Sequence, residues 1–105
     1  MKKQFIEKLS IDSYPGTLNL EIIDLESLQS FKELKSKKGI EITPEDPSFC
    51  SAQCYPVLIG RRLKGAIVLP MIEDYPENKM ELIASQNIKK ALSAKAGDDL
   101  EVEIL

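Results

Sequence analysis

The sequence predicts a mainly β fold, a small β-barrel with short helices attached, in a single domain over 1–105. Extended apolar runs of unequal length recur along the chain, which is the pattern of strands rather than of long helices. Irregular corners carrying Pro or Gly separate them. Strand–helix alternation fails in the middle of the chain, which removes a βαβ parallel sheet. The 105 residues suit one domain with one core.

Lys2 to Leu9 reads as a short helix, because Phe5, Ile6 and Leu9 make one apolar stripe among Lys and Glu. A polar segment, Ser10-Ile11-Asp12-Ser13, leads to the Tyr14-Pro15-Gly16 corner. Thr17 to Ile23 is the first strand. Asp24 can cap a following helical turn whose buried side is Leu25, Leu28 and Phe31 or Leu34. Lys35-Ser36-Lys37-Lys38-Gly39 ends it; this basic cluster suits a solvated loop, and also a phosphate.

Ile40-Glu41-Ile42 is a short strand, and Thr43 to Ser48, with Pro44 and Pro47, is a loop. Phe49 to Ile59 is a long strand with a bend expected at Pro56. Gly60 to Gly65 is a hairpin connection. Ala66 to Leu69 is nearly all apolar, which predicts a central strand buried on both faces and closed by Pro70. An acidic loop, Met71 to Lys79, precedes a strand over Met80 to Ala84. Asn87 to Ala94 reads as a helix, and a turn at Ala96-Gly97-Asp98-Asp99 leads into the last strand, Leu100 to Leu105.

Composition excludes several functions. Net charge is -3, which disfavours a general nucleic-acid binder. No apolar run approaches the roughly 20 residues that cross a bilayer, and Met1-Lys2-Lys3 does not open a signal peptide. A cytoplasmic protein with no membrane partner is the expectation. There is no histidine, so imidazole bases, Ser-His triads and His-based metal sites are out. Cys50 and Cys54, four apart in an extended run, would sit roughly 13 Å apart. That is too far for a disulfide, and two thiols without His make no zinc site. They read as small core residues.

Three polar groups are candidates for chemistry. Thr17 and Asn19 are two apart in a strand, so they share a face while Leu18 and Leu20 share the other. A hydroxyl and an amide oxygen side by side suit a hard cation such as Mg²⁺, which keeps several waters and is completed by substrate phosphates. The same alternation also fits an ordinary strand facing water. Glu81 lies between Met80 and Leu82; it faces solvent, or, if buried, needs partners and suits proton transfer. Ser85-Gln86-Asn87-Ile88-Lys89 opens a helix, where backbone N–H groups favour an anion, although a plain capped surface helix fits too. No GxxxxGK[ST] or GxGxxG phosphate loop is present.

Taken in order, these segments resemble the archaeal CTP-dependent riboflavin kinases. The resemblance rests on Tyr14-Pro15-Gly16-Thr17-Leu18-Asn19-Leu20, Cys54-Tyr55-Pro56, Lys64 to Pro70, Met80 to Ala84 and Ala96 to Val102. It implies a cradle-loop (RIFT-related) β-barrel that moves the γ-phosphate of CTP to the ribityl 5′-hydroxyl of riboflavin, giving FMN and CDP. It further implies that Thr17 and Asn19 bind Mg²⁺, that Glu81 contacts flavin, and that Gln86, Asn87, Ile88 and Lys89 contact the nucleotide. The second flavin position is occupied by Glu73, where the family has Thr, and Glu73 would repel the phosphate of FMN. Ser85 stands where Pro is usual, and Lys89 where Arg is usual, losing bidentate phosphate geometry. The family's first strand and its Gly-rich CTP loop would precede Lys2, so the expectation is a domain without them. Such a domain would expose a sheet edge, which could drive homodimerisation. Two functions compete: the kinase, with Glu81 as its proton acceptor, and a catalytically inactive flavin-, nucleotide- or protein-binding module on the same barrel.

Overall fold

The computed structural model describes residues 2–9, 11–12, 18–43, 51–72, 75–95 and 100–105. Its elements in chain order are α1 (Lys2–Leu9), β1 (Leu18–Glu21), α2 (Leu25–Lys35), β2 (Ile40–Ile42), β3 (Ala52–Ile59), β4 (Leu63–Pro70), β5 (Lys79–Ala84), α3 (Ile88–Ala91) and β6 (Val102–Ile104). The strands form one curled half-barrel sheet in the order β1-β5-β4-β3-β2, with β6 also on β3. Every pair is antiparallel. The mainly β expectation is met. No helix among the described residues is long and apolar enough to cross a membrane.

Alternation fixes what each face does. One row across the sheet is Leu18–Leu82–Ile67–Tyr55. It belongs to a core closed by Phe31 and Leu34 of α2 and Ile88 of α3. The adjacent row is Asn19–Glu81–Val68–Cys54–Ile40. Val68 and Cys54 of this row join a second core with Ile11, Ile42, Ala66 and Ile83, against which Leu9 packs. β4 thus has a core on both faces, and Gly65 to Val68 are all buried, as a nearly unbroken apolar run predicts.

Pro56 sits in the middle of β3 and still pairs across from Ala66. Its carbonyl accepts the Leu105 N–H at 3.0 Å on the outer side of β3. The N–H and C=O of one strand residue point the same way, so the missing donor also faces outward. It falls where the outer neighbour of β3 changes from β2, opposite Ala52 to Cys54, to β6, opposite Val57 to Ile59. The β3–β4 ladder loses nothing.

Several boundaries and faces differ from expectation. β1 ends at Glu21, and Ile23 is 82% exposed. Leu25 is 84% exposed; only Phe31 and Leu34 of α2 are buried, because the apolar face of the helix starts a turn later. Ile6 of α1 is exposed. The expected helix over 87–94 is the single turn Ile88–Ala91, since Ser93, at φ 54, leaves the helical region. β6 is three residues within the expected 100–105. Cys54 is fully buried, and burial pushes its thiol up to about 11. Cys50, the turn at 96–99 and the corner at 13–17 lie outside the described residues.

Candidate functional site

Asn19 and Glu81 come from motifs more than sixty residues apart in sequence, yet β1 and β5 pair them directly. Antiparallel partners point to the same face with Cβ atoms roughly 5 Å apart. Asn19 is exposed, as the polar side of the alternating LNLE strand should be. Glu81 keeps 19% of its side chain exposed. On its other flank lies Val68 of β4. A carboxylate between an amide and a valine is here mostly covered, with a minor part of its surface in water.

Glu81 acquires two donors. The Tyr75 hydroxyl donates to Oε1 at 2.9 Å. The Lys79 ammonium lies 3.6 Å from the same oxygen, and 5.4 Å from the centre of the Tyr75 ring. Lys79 reaches Glu81 because residues two apart on a strand share a face. Tyr75 reaches it because the chain turns back before β5, where the Lys79 N–H meets the Pro76 carbonyl at 3.3 Å. Burial first, then the hydrogen bond to Glu81 and its charge, push the Tyr75 phenol well above its usual range. The phenol therefore stays protonated and acts as a donor.

The loop bearing Tyr75 is pinned by α2. Lys35 Nζ donates to the Glu77 carbonyl at 3.1 Å, and Lys32 lies 3.8 Å from the Glu77 carboxylate. Lys35 also lies 4.3 Å from the Phe31 ring centre, and burial lowers the pKa of its ammonium. Part of the basic cluster at 35–38 thus fastens a loop.

The segment past β5 divides its labour. Gln86 and Lys89 are exposed, while Ile88 is 6% exposed and plugs the α2-side core. Asn87 is the N-cap of α3, and its Oδ1 accepts the Lys90 N–H at 3.2 Å. Side chains available to a ligand here are those of Gln86 and Lys89. Leu18 at the start of β1 pairs with Leu82 near the end of β5. The start of β1, at Leu18 and Asn19, and the 86–89 segment therefore lie toward the same end of the sheet.

Thr17 and Glu73 lie outside the described residues. Among those described, no cluster of three or more Cys, Asp or Glu could hold a metal. The donor set still fits a magnesium ion, which needs only one or two protein oxygens when waters and phosphates complete its shell. Asn19 offers one such neutral oxygen on this face. The sequence reading missed Tyr75 and Lys79. The Lys79–Glu81 spacing was a usable signal; nothing local links Tyr75 to Glu81.

A groove of about 720 Å³ opens elsewhere, between β1, α2 and β6. Leu20 and Met80 line it, on the sheet face opposite Asn19 and Glu81. It is separate from the polar site.

The family model CTP-dep_RFKase, described as Domain of unknown function DUF120, matches residues 1–104. A protein named riboflavin kinase from Archaeoglobus fulgidus is 37% identical over 107 residues, covering 99% of this chain and 45% of its own length. One from Methanoculleus marisnigri, with the same name, is 38% identical over 106 residues, with 98% and 47% covered. A third, from Sulfurisphaera tokodaii, is 34% identical over 106 residues, with 97% and 77% covered. The chain spans about half the length of the first two. With nearly every residue matched, the chain belongs to the CTP-dependent riboflavin kinase family.

Proposed function

We propose that this chain transfers the γ-phosphate of CTP to riboflavin, with Mg²⁺, giving FMN and CDP. The single observation that carries the proposal is the pairing of Asn19 with Glu81 across β1 and β5, in a chain matched end to end by the family. It brings an amide oxygen beside a carboxylate, on the strand from whose end the 86–89 segment departs. The relatives' names do not favour an inactive binding module.

Phosphoryl transfer asks a protein mainly for positioning and charge neutralisation around an in-line displacement, so a site without histidine is adequate. In this reading Asn19, with Thr17 beside it in sequence, holds the magnesium ion. The ion, when bound, neutralises phosphate charge. Glu81 accepts the hydrogen bond, and then the proton, of the attacking ribityl hydroxyl. Lys89 meets the nucleotide phosphates as an exposed point charge, beside backbone N–H groups at the start of α3. Ile88, buried, anchors that segment, and Asn87 caps it. Glu73 fills the position the resemblance gives to flavin.

The test incubates the protein with riboflavin, CTP and Mg²⁺ and follows FMN. FMN formation is expected, with Asn19→Ala and Glu81→Gln each slowing it about 10²-fold or more. No FMN, together with no heat on titrating riboflavin or CTP, overturns the proposal; unchanged turnover in Glu81→Gln removes the proton-accepting role.

A further inference from the structure

A glutamate on a half-exposed strand face has several rotamers that point into water. In this chain Glu81 does not choose freely. The Tyr75 hydroxyl and the Lys79 ammonium both meet Oε1, at 2.9 and 3.6 Å. Among the described residues, Oε2 has no such partner. The ring carrying the hydroxyl is itself under the Lys79 ammonium. Its loop is held two residues on, where Lys32 and Lys35 grip Glu77. The arrangement is a chain of contacts from α2 through the loop to one carboxylate oxygen.

We propose that Tyr75 is a positioning residue for Glu81. Its hydroxyl, aided by Lys79, fixes Oε1 and leaves Oε2 as the oxygen that receives the ribityl hydroxyl of the flavin. The inference rests on the kinase reading. Its physical content is preorganisation. A carboxylate held in one rotamer before the ligand arrives loses less entropy on binding, and an oxygen with no donor among the described residues is the better acceptor. Toward Glu81 the Tyr75 hydroxyl is the donor, at 2.9 Å, and its phenol stays neutral there. Phe, which keeps the ring under Lys79 and loses only the hydroxyl, isolates the effect.

The experiment measures riboflavin affinity by flavin fluorescence, and kcat and KM for both substrates, in the wild type, Tyr75→Phe, Glu81→Ala and the double variant. The expected result is a riboflavin Kd and KM about 5- to 10-fold higher in Tyr75→Phe, the loss of one hydrogen bond to a charged group. KM for CTP stays unchanged, and so does the melting temperature within a few degrees. In the Glu81→Ala background the same substitution changes riboflavin affinity no further. Lys79→Met, which keeps the Tyr75 hydroxyl, weakens riboflavin about 2- to 3-fold through loss of the second donor. Unchanged riboflavin affinity in Tyr75→Phe overturns the proposal and leaves the kinase reading standing. So does a loss of equal size with Glu81 absent, or an equal loss for CTP and riboflavin accompanied by a lower melting temperature. A wild-type chain that neither binds riboflavin nor makes FMN overturns the kinase reading itself and the proposal with it.

Discussion

Asp24 shows how far a single residue carries a local structure. Its carboxylate accepts the Ser27 backbone N–H at 2.8 Å, and its own backbone is extended at φ -102, ψ 148. That is the geometry of an N-cap, at the positive end of the α2 dipole. The hydrogen bonds from Ser27 hold its carboxyl below the ordinary value of 3.8. A depressed folded-state value stabilises above the unfolded value, and the contribution fades as pH falls through the folded one. Helix content should therefore drop on acidification below pH about 4, and Asp24→Asn should remove that part of the pH dependence while keeping the cap. Circular dichroism of the two proteins from pH about 6 to 2 reads the difference; identical curves would contradict it. This cap was legible in the sequence because its chemistry is confined to four residues. Leu25 was misjudged for the same reason: the helix starts there, but the core it faces lies a turn further on. Tyr75 was invisible, since its partner is set by how a loop folds back.

At the scale of elements, alternation and apolar runs were reliable guides. The LNLE strand turns Leu18 and Leu20 inward and Asn19 and Glu21 outward, and the Ala66–Leu69 run became the centre of the sheet. Pairing partners were not legible, because register depends on contacts distant in sequence. That is why Thr17–Asn19 and Glu81 read as separate signals until β1 met β5. Gly65 of β4 sits where the strands leave no room for a side chain. A Cβ there would collide with the Ile83 carbonyl oxygen and lie 2.7 Å from Ile59 Cδ1. The carbonyl belongs to a paired strand and has nowhere to go. Gly65→Ala should cost roughly 1–3 kcal/mol by overpacking, measured by urea unfolding. A loss under about 0.5 kcal/mol, the range of surface substitutions, would show that the two strands can separate more easily than the packing implies.

Across the whole molecule, protection should follow position in the sheet. Cys54, Ile67 and Leu82 are fully buried in β3, β4 and β5, each with a strand on both sides. Among the described residues, β1, β2 and β6 each have one strand neighbour. Amide hydrogen exchange should be slowest in the first group and fastest at the outward-facing N–H groups of the second. Uniform protection across β1 and β4 would contradict this topology. The barrel-like curl was foreseeable from many short strands and irregular corners, while the seam needed the strand order.

That seam has a cause in counting. Along β1-β5-β4-β3-β6 every neighbour reverses direction, so among the described residues five alternating strands begin and end with the same heading. A ring in which all neighbours oppose one another requires an even number. β1 and β6 therefore cannot zip together as the other pairs do, however closely they approach. The groove between them, with Leu20 and Ile22 on one bank and Val102 and Ile104 on the other, lies where the only pairing open to the described strands would be parallel, unlike every other pair in the sheet.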